Sequence, residues 1–168
     1  MSDTEVDLLL GPNGHRHVAP PTSRDRDEWL TWMAENPGCV AYAMTPLDVG
    51  DGVAVVEVTR SVVPLNPNGA VHGGLLAAIA DQAGALAILP KLEPGVSAVT
   101  GTLHLEYFRP ARLPLTVESR VARFARSLVF VDVTITSGGQ VTTAAHGTWV
   151  PTRGTPVSTP VSTPVEPA

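Results

Sequence analysis

Residues Gly73 to Leu89 run almost without interruption through Gly, Ala, Leu and Ile, with Asp81 and Gln82 the two polar residues among them. A helix apolar on nearly every side has to be covered on most sides, so the rest of the chain must be built around it. At 3.6 residues per turn Ala77, Ala78, Asp81, Gly84, Ala85 and Ile88 share one side. Asp81 therefore projects from a strip of small residues that another backbone or a ligand can approach closely. The run is shorter and more interrupted than the ~20 predominantly apolar residues of a membrane span. A carboxylate in such a place needs a reason, because Asp is almost never fully buried unless paired and helix interiors do not favour it.

Composition narrows what can surround this helix. With 168 residues, 43% of them apolar, the chain has room for one ordinary core and no second domain of similar size. A formal net charge of -5 argues against nucleic acid as a partner, since phosphate-backbone binders need a basic face. The single Cys39 excludes an internal disulfide, offers no cluster for zinc, and reads as a small buried apolar residue entering a strand. His15-Arg16-His17 lacks further ligands at metal spacing, so neither a metal nor any other required cofactor is expected. The opening Met1-Ser2-Asp3-Thr4-Glu5 has no basic region, and Leu8-Leu9-Leu10 is too short for the apolar part of a secretory signal. A soluble cytoplasmic chain with no membrane partner is the expectation.

Residues 1–38 read as an N-terminal extension, loose around Gly11-Pro12-Asn13-Gly14 and Pro20-Pro21. Ser23 is placed to cap a short helix through about Asn36, to which Trp29, Leu30, Trp32 and Met33 supply apolar contacts. At the other end Pro151 to Ala168 repeats Thr-Pro-Val-Ser, whose prolines lack a donor and whose side chains cannot build a core; a disordered or polyproline-like tail is expected. The domain between them is residues 39–150. Val40 to Thr45 and Val53 to Arg60 read as strands before the helix, with Pro46 to Gly52 as the turn. After it, Leu103, Leu105 and Tyr107 alternate with polar residues, as do Leu115, Val117, Ser119 and Val121, and then Val129, Val131, Val133 and Ile135. Ser137-Gly138-Gly139 turns the chain into Val141 to Val150, a hairpin with a glycine turn.

Two strands, a long buried helix and four strands predict an α+β hotdog architecture, a curved antiparallel sheet wrapped around one central helix. A doubly wound parallel sheet would want further helices between Leu103 and Val150, where none is legible.

Asn66, then Val71-His72-Gly73-Gly74, then Ala80-Asp81, followed by Thr100-Gly101-Thr102-Leu103-His104-Leu105-Glu106-Tyr107-Phe108-Arg109-Pro110-Ala111, carry a resemblance. Over roughly Val40 to Val150 the chain resembles the phenylacetate-degradation (PaaI-like) type of hotdog acyl-CoA thioesterase, in the 4-hydroxybenzoyl-CoA thioesterase superfamily. The resemblance implies that Asp81 acts as nucleophile or general base and that the Gly73 amide polarises the thioester carbonyl. It gives Asn66 and His72 roles in positioning substrate or water, and puts Thr100 where the family often carries Ser or Thr. It implies a homo-oligomer, dimer or tetramer, with Asp81 of one subunit facing the His-Gly-Gly helix start of the next. The CoA moiety then belongs to the substrate, an aryl- or short- to medium-chain acyl-CoA.

The residue chemistry agrees with those roles. A thiolate with a conjugate-acid pKa of about 8.5 leaves readily, so activating water or attacking directly is the main demand. A poorly solvated Asp is a stronger base, and an oxyanion at a helix N-terminus is stabilised by the amides there. Each residue also has a plain structural reading: Gly73-Gly74 for close packing, Asn66 as a turn former, His72 as a helix-start residue, Thr100 as a strand former. For the phosphates of coenzyme A, five Arg lie between Arg109 and Arg126, and Arg presents a planar multi-donor fork. Arg123 and Arg126, in a segment resembling the family's basic turn, are the first candidates; Arg109 and Arg112 are the second.

Other chemistries lack their signals. There is no Gly-x-Ser-x-Gly elbow, no P-loop and no dinucleotide-binding glycine pattern. A hotdog hydratase is the weaker enzymatic alternative, because His72 stands too far from Asn66-Pro67 and Gly74 fills the place of its acidic residue. A non-catalytic acyl-CoA-binding sensor or scaffold is the alternative from another class.

Overall fold

The structure, a computed structural model, describes residues 19–153. The expectations for His15-Arg16-His17, for the first Gly/Pro-rich residues and for the repeat beyond Arg153 lie outside the described residues. In chain order the elements are α1 (Arg26–Glu35), α2 (Pro37–Ala41), β1 (Met44–Gly50), β2 (Val53–Val58), α3 (Gly73–Ile88), a 3-10 turn (Leu89–Lys91), β3 (Val96–Tyr107), β4 (Leu115–Phe124), β5 (Val129–Ser137) and β6 (Gln140–Arg153).

All six strands form one antiparallel sheet in the order β1-β2-β4-β5-β6-β3. The chain leaves β2 near one edge, lays α3 across the sheet against β2, β3, β4 and β5, and enters β3 at the opposite edge. This is the hotdog architecture. Alternation works as the residues predict: Leu115, Val117, Val129, Val131, Val133 and Ile135 are buried under α3, whose Ile79, Ala83, Leu86 and Ala87 are buried in return. Residues 73–91 are long and apolar enough to cross a bilayer by composition, but the sheet packs on α3 as on a core helix.

Two contacts set how closely α3 lies on the sheet. The buried Ser119 hydroxyl lies 2.7 Å from the Ala83 carbonyl and 3.2 Å from that of Ala54, tying β4 to the helix and to β2. A Cβ on Gly84 would stand 2.4 Å from the indole of Trp149, so glycine is what lets helix and ring pack together. Gly84 and Ile88 are consequently buried. Ala77, Ala78, Asp81 and Ala85 stay partly exposed and form an open strip beside β3.

Four boundaries differ from expectation. Asp25, not Ser23, caps α1, accepting from the amides of Asp27 and Glu28 at 2.8 and 3.1 Å; Ser23 braces the cap by accepting from Asp25 N. Val40 and Ala41 are helical rather than extended, because Asn36 caps a second short helix that has Pro37 in its first turn, and Cys39 is buried in it. Pro46 to Gly50 belong to β1, not to a turn. Pro46 costs no ladder bond at an edge strand beside a bulge, and the turn proper is Asp51-Gly52, both with positive φ. Finally, β3 starts at Val96 and β6 runs on to Arg153, where the two pair. The glycine hairpin is as expected, with positive φ at Gly138 and Gly139.

Candidate active site

The strip on α3 lies against the inner side of β3, and two side chains of that strand reach it. Thr100 donates its hydroxyl to Asp81 Oδ1 at 2.7 Å. Tyr107, the last residue of β3, donates to the Gly73 carbonyl at 2.9 Å. The register explains the pairing of strand and helix: Thr100, Leu103, Leu105 and Tyr107 lie opposite the inward Trp149, Gly147, Ala145 and Thr143 of β6. Their exposure is higher than that of the β4 and β5 residues because β3 is an edge strand above an open strip.

Asp81 occupies the third turn of α3, partly exposed, held on one oxygen by Thr100. At the helix start, His72 is the N-cap and makes no side-chain capping bond, and no acidic residue lies in the first turn. The amides there keep their partial positive charge for an incoming anion. A Cβ on Gly74 would meet nothing within 4 Å, so neither crowding nor an unusual φ inside this chain asks for glycine there.

The loop before α3 is pinned at several points. Asn66 Oδ1 accepts from the amides of Asn68 and Ala70 at 2.9 and 3.0 Å, and Val71 N donates to Ala111 O at 2.9 Å. Asn66 thus shapes the loop whatever else it does. Arg112 donates to the Gly69 carbonyl at 3.1 Å and braces the same loop, while Arg109 donates to Gln140. Arg123 and Arg126 are exposed at the β4–β5 turn. The structure therefore joins Asp81 to Thr100 and gathers Asn66, His72 and Gly73 around the helix start. Nothing in the sequence marks Tyr107 or Gln82 as a site neighbour; the fold does. Gln82 donates to Asn36 Oδ1 at 3.2 Å and fastens α2 to the catalytic-candidate turn of α3.

The distance between the two halves matters. Gly73 and Asp81 are eight residues apart on one helix, about 12 Å along its axis. A carbonyl oxygen has to sit about 3 Å from its amide donor, a short reach beside that rise.

The model of the thioesterase superfamily matches residues 68–144, which contain this helix, β3 and the strands that pack on them. The acyl-coenzyme A thioesterase PaaI of Escherichia coli is 30% identical over 115 residues, 67% of this chain and 80% of that one. The chain belongs to the thioesterase superfamily, as a PaaI-like hotdog protein. The solved structure of the E. coli PaaI protein superposes with a TM-score of 0.66 at 26% identity, covering 74% of this chain and 91% of that one. A Deinococcus radiodurans protein is 31% identical over 104 residues, 62% of this chain and 64% of its own length. The structure of smu.793 from Streptococcus mutans, bound to acetyl CoA, matches with a TM-score of 0.60 at 26% identity over 66% of this chain and 89% of that one.

Proposed function

We propose that this PaaI-like protein hydrolyses the thioester of an aryl- or short- to medium-chain acyl-CoA, releasing the acid and coenzyme A. The observation that carries the reading is the Thr100–Asp81 bond of 2.7 Å in an open strip of small residues beside a free strand edge. In this reading Asp81 attacks the carbonyl or takes a proton from water, and Thr100 holds the carboxylate oriented. The Gly73 amide receives the developing oxyanion, and the thiolate leaves without a strong general acid. Arg123 and Arg126 are the candidates for the CoA phosphates, with Arg109 and Arg112 secondary because each already holds a partner.

The roughly 12 Å gap along α3 makes the site a property of two copies. β3 is a twelve-residue edge strand with Val99 and Tyr107 more than half exposed, which invites pairing with a like edge. Its contact to Asp81 is at Thr100, its fifth residue, and its contact to Gly73 at Tyr107, its last. Antiparallel pairing of two β3 strands centred between those two residues sets Asp81 of one subunit toward Gly73 of the next. Homodimers built this way, alone or as pairs in a tetramer, are the expected assembly.

The test is thiol release from a panel of aryl-, short- and medium-chain acyl-CoAs by wild type and Asp81→Asn. A variant that keeps its fold and assembly but loses on the order of 10²-fold or more in kcat supports the reading. Acyl-CoA binding without turnover by the wild type would replace it with a sensor or scaffold.

A further inference from the structure

Helix α3 begins with the two residues that have the greatest backbone freedom, Gly73 and Gly74, yet this is where an oxyanion donor has to be held still. The usual local restraint is missing, because the His72 cap offers no side-chain bond to the free amides. On the sequence side of the cap, Val71 N is fixed to Ala111 O at 2.9 Å. On the helix side the restraint comes from Tyr107. Its hydroxyl donates to the Gly73 carbonyl at 2.9 Å, and its ring atoms lie 3.5 Å from where a Cβ on Gly73 would stand.

Tyr107 is the last residue of β3 and is 52% exposed within one chain, so its ring fills no space in that chain's own core. The hydroxyl proton is committed to a main-chain carbonyl and is not left for a substrate oxygen.

We propose that Tyr107 is a positioning residue that substitutes for the missing cap and fixes the Gly73–Gly74 peptide so that the helix-start amides stay aimed at the developing oxyanion. The proposal rests on the thioesterase reading above. Because the donor is worth most when charge builds on the carbonyl oxygen, loosening it lowers kcat and leaves substrate affinity unchanged. A group that touched the ground-state substrate would instead move KM.

The experiment compares full-length wild type, Tyr107→Phe and Tyr107→Leu by steady-state thiol release, melting temperature and amide hydrogen exchange over residues 72–77. Tyr107→Phe is expected to lower kcat roughly three- to tenfold, the range of one neutral hydrogen bond, with KM within about twofold. The first hydrogen-bonded amide of the helix, Leu76 N on the His72 carbonyl at 3.0 Å, exchanges faster, and Tyr107→Leu, which also removes the ring, falls further. An unchanged kcat, a change confined to KM, or unchanged exchange at Leu76 overturns the proposal. If the wild type releases no thiol from any substrate, the functional reading fails separately and the exchange comparison alone decides: faster exchange in Tyr107→Phe supports the restraint, equal exchange sinks it.

Discussion

Thr100 on the edge strand β3 and Asp81 on the central helix α3 are joined by one hydrogen bond of 2.7 Å, hydroxyl to carboxylate. A bond to an ionised group is worth about 1.5 to 3 kcal/mol when shielded, and less in a partly exposed site. Thr100→Val keeps the shape and the strand propensity but removes the donor; kcat is expected to fall about tenfold. Thr100→Ser restores the donor and most of the rate. Equal rates for Val and wild type would reduce the bond to a structural tie between strand and helix.

Two glycines of α3 separate packing from function. A Cβ on Gly84 would stand 2.4 Å from the Trp149 indole, so Gly84→Ala overpacks the core and is expected to lose about 1 to 3 kcal/mol in chemical denaturation. Gly74 has open space around it, and Gly74→Ala should hold or raise stability by up to about 1 kcal/mol, since alanine is the better helix former. If a thioester or a second subunit approaches that backbone closely, the same change lowers kcat/KM roughly tenfold despite the sound fold. Full activity in Gly74→Ala would mean that nothing needs the space.

Cys39 supplies a pH dependence. Burial pushes its thiol from an ordinary 9.0 up to about 11, with the Gln82 amide opposing the shift. Below pH 9 folded and unfolded chains both keep the proton and Cys39 has no effect. Between about pH 9 and 11 the unfolded chain releases a proton that the folded chain holds, so stability falls by roughly 2 to 3 kcal/mol across that window. Denaturation curves at pH 8, 9.5 and 11 measure the slope; Cys39→Ala should lose stability at every pH but flatten that window. An identical slope in the variant would assign the loss to other groups. The same burial predicts that Cys39 resists thiol reagents in the folded protein at pH 8.

What was legible in the chain depended on one-sidedness. The run through α3 and the alternation in β4 and β5 read correctly because these elements have a buried face, and burial writes its period into the residues. The first half of β3, Val96 to Gly101, is an edge segment with mixed exposure, so it carries no clean alternation. β1 was obscured by Pro46 and Asp48, both tolerated at a bulged edge, and α2 by its length of five residues. In the site, Asp81 stood out as the wrong residue type for its surroundings, and Thr100 could be matched to it by the family pattern. Alternation placed Tyr107 on the inner face but could not say that it reaches the Gly73 carbonyl. Arg112 looks like any free arginine until the fold sets it against Gly69, a residue far away in sequence.

The proposed site takes its two halves from different chains, and mixing inactive variants tests that arrangement. Asp81→Asn removes the carboxylate. Gly73→Pro removes the amide hydrogen itself, and the place tolerates proline: Gly73 is the first helical residue, and His72 before it has φ -60° and ψ 136°, the extended conformation that proline requires of its predecessor. Each variant alone is expected to lose on the order of 10²-fold or more in kcat. In a mixed dimer, the Asp81→Asn chain still brings Gly73 and the Gly73→Pro chain still brings Asp81, so one of the two sites is whole. After random exchange of equal amounts, half the dimers are mixed, and activity should recover to about one quarter of wild type. Two sites each contained within one chain would give no recovery at any mixing ratio. That result would leave the roughly 12 Å between Gly73 and Asp81 unbridged and remove the shared-site mechanism.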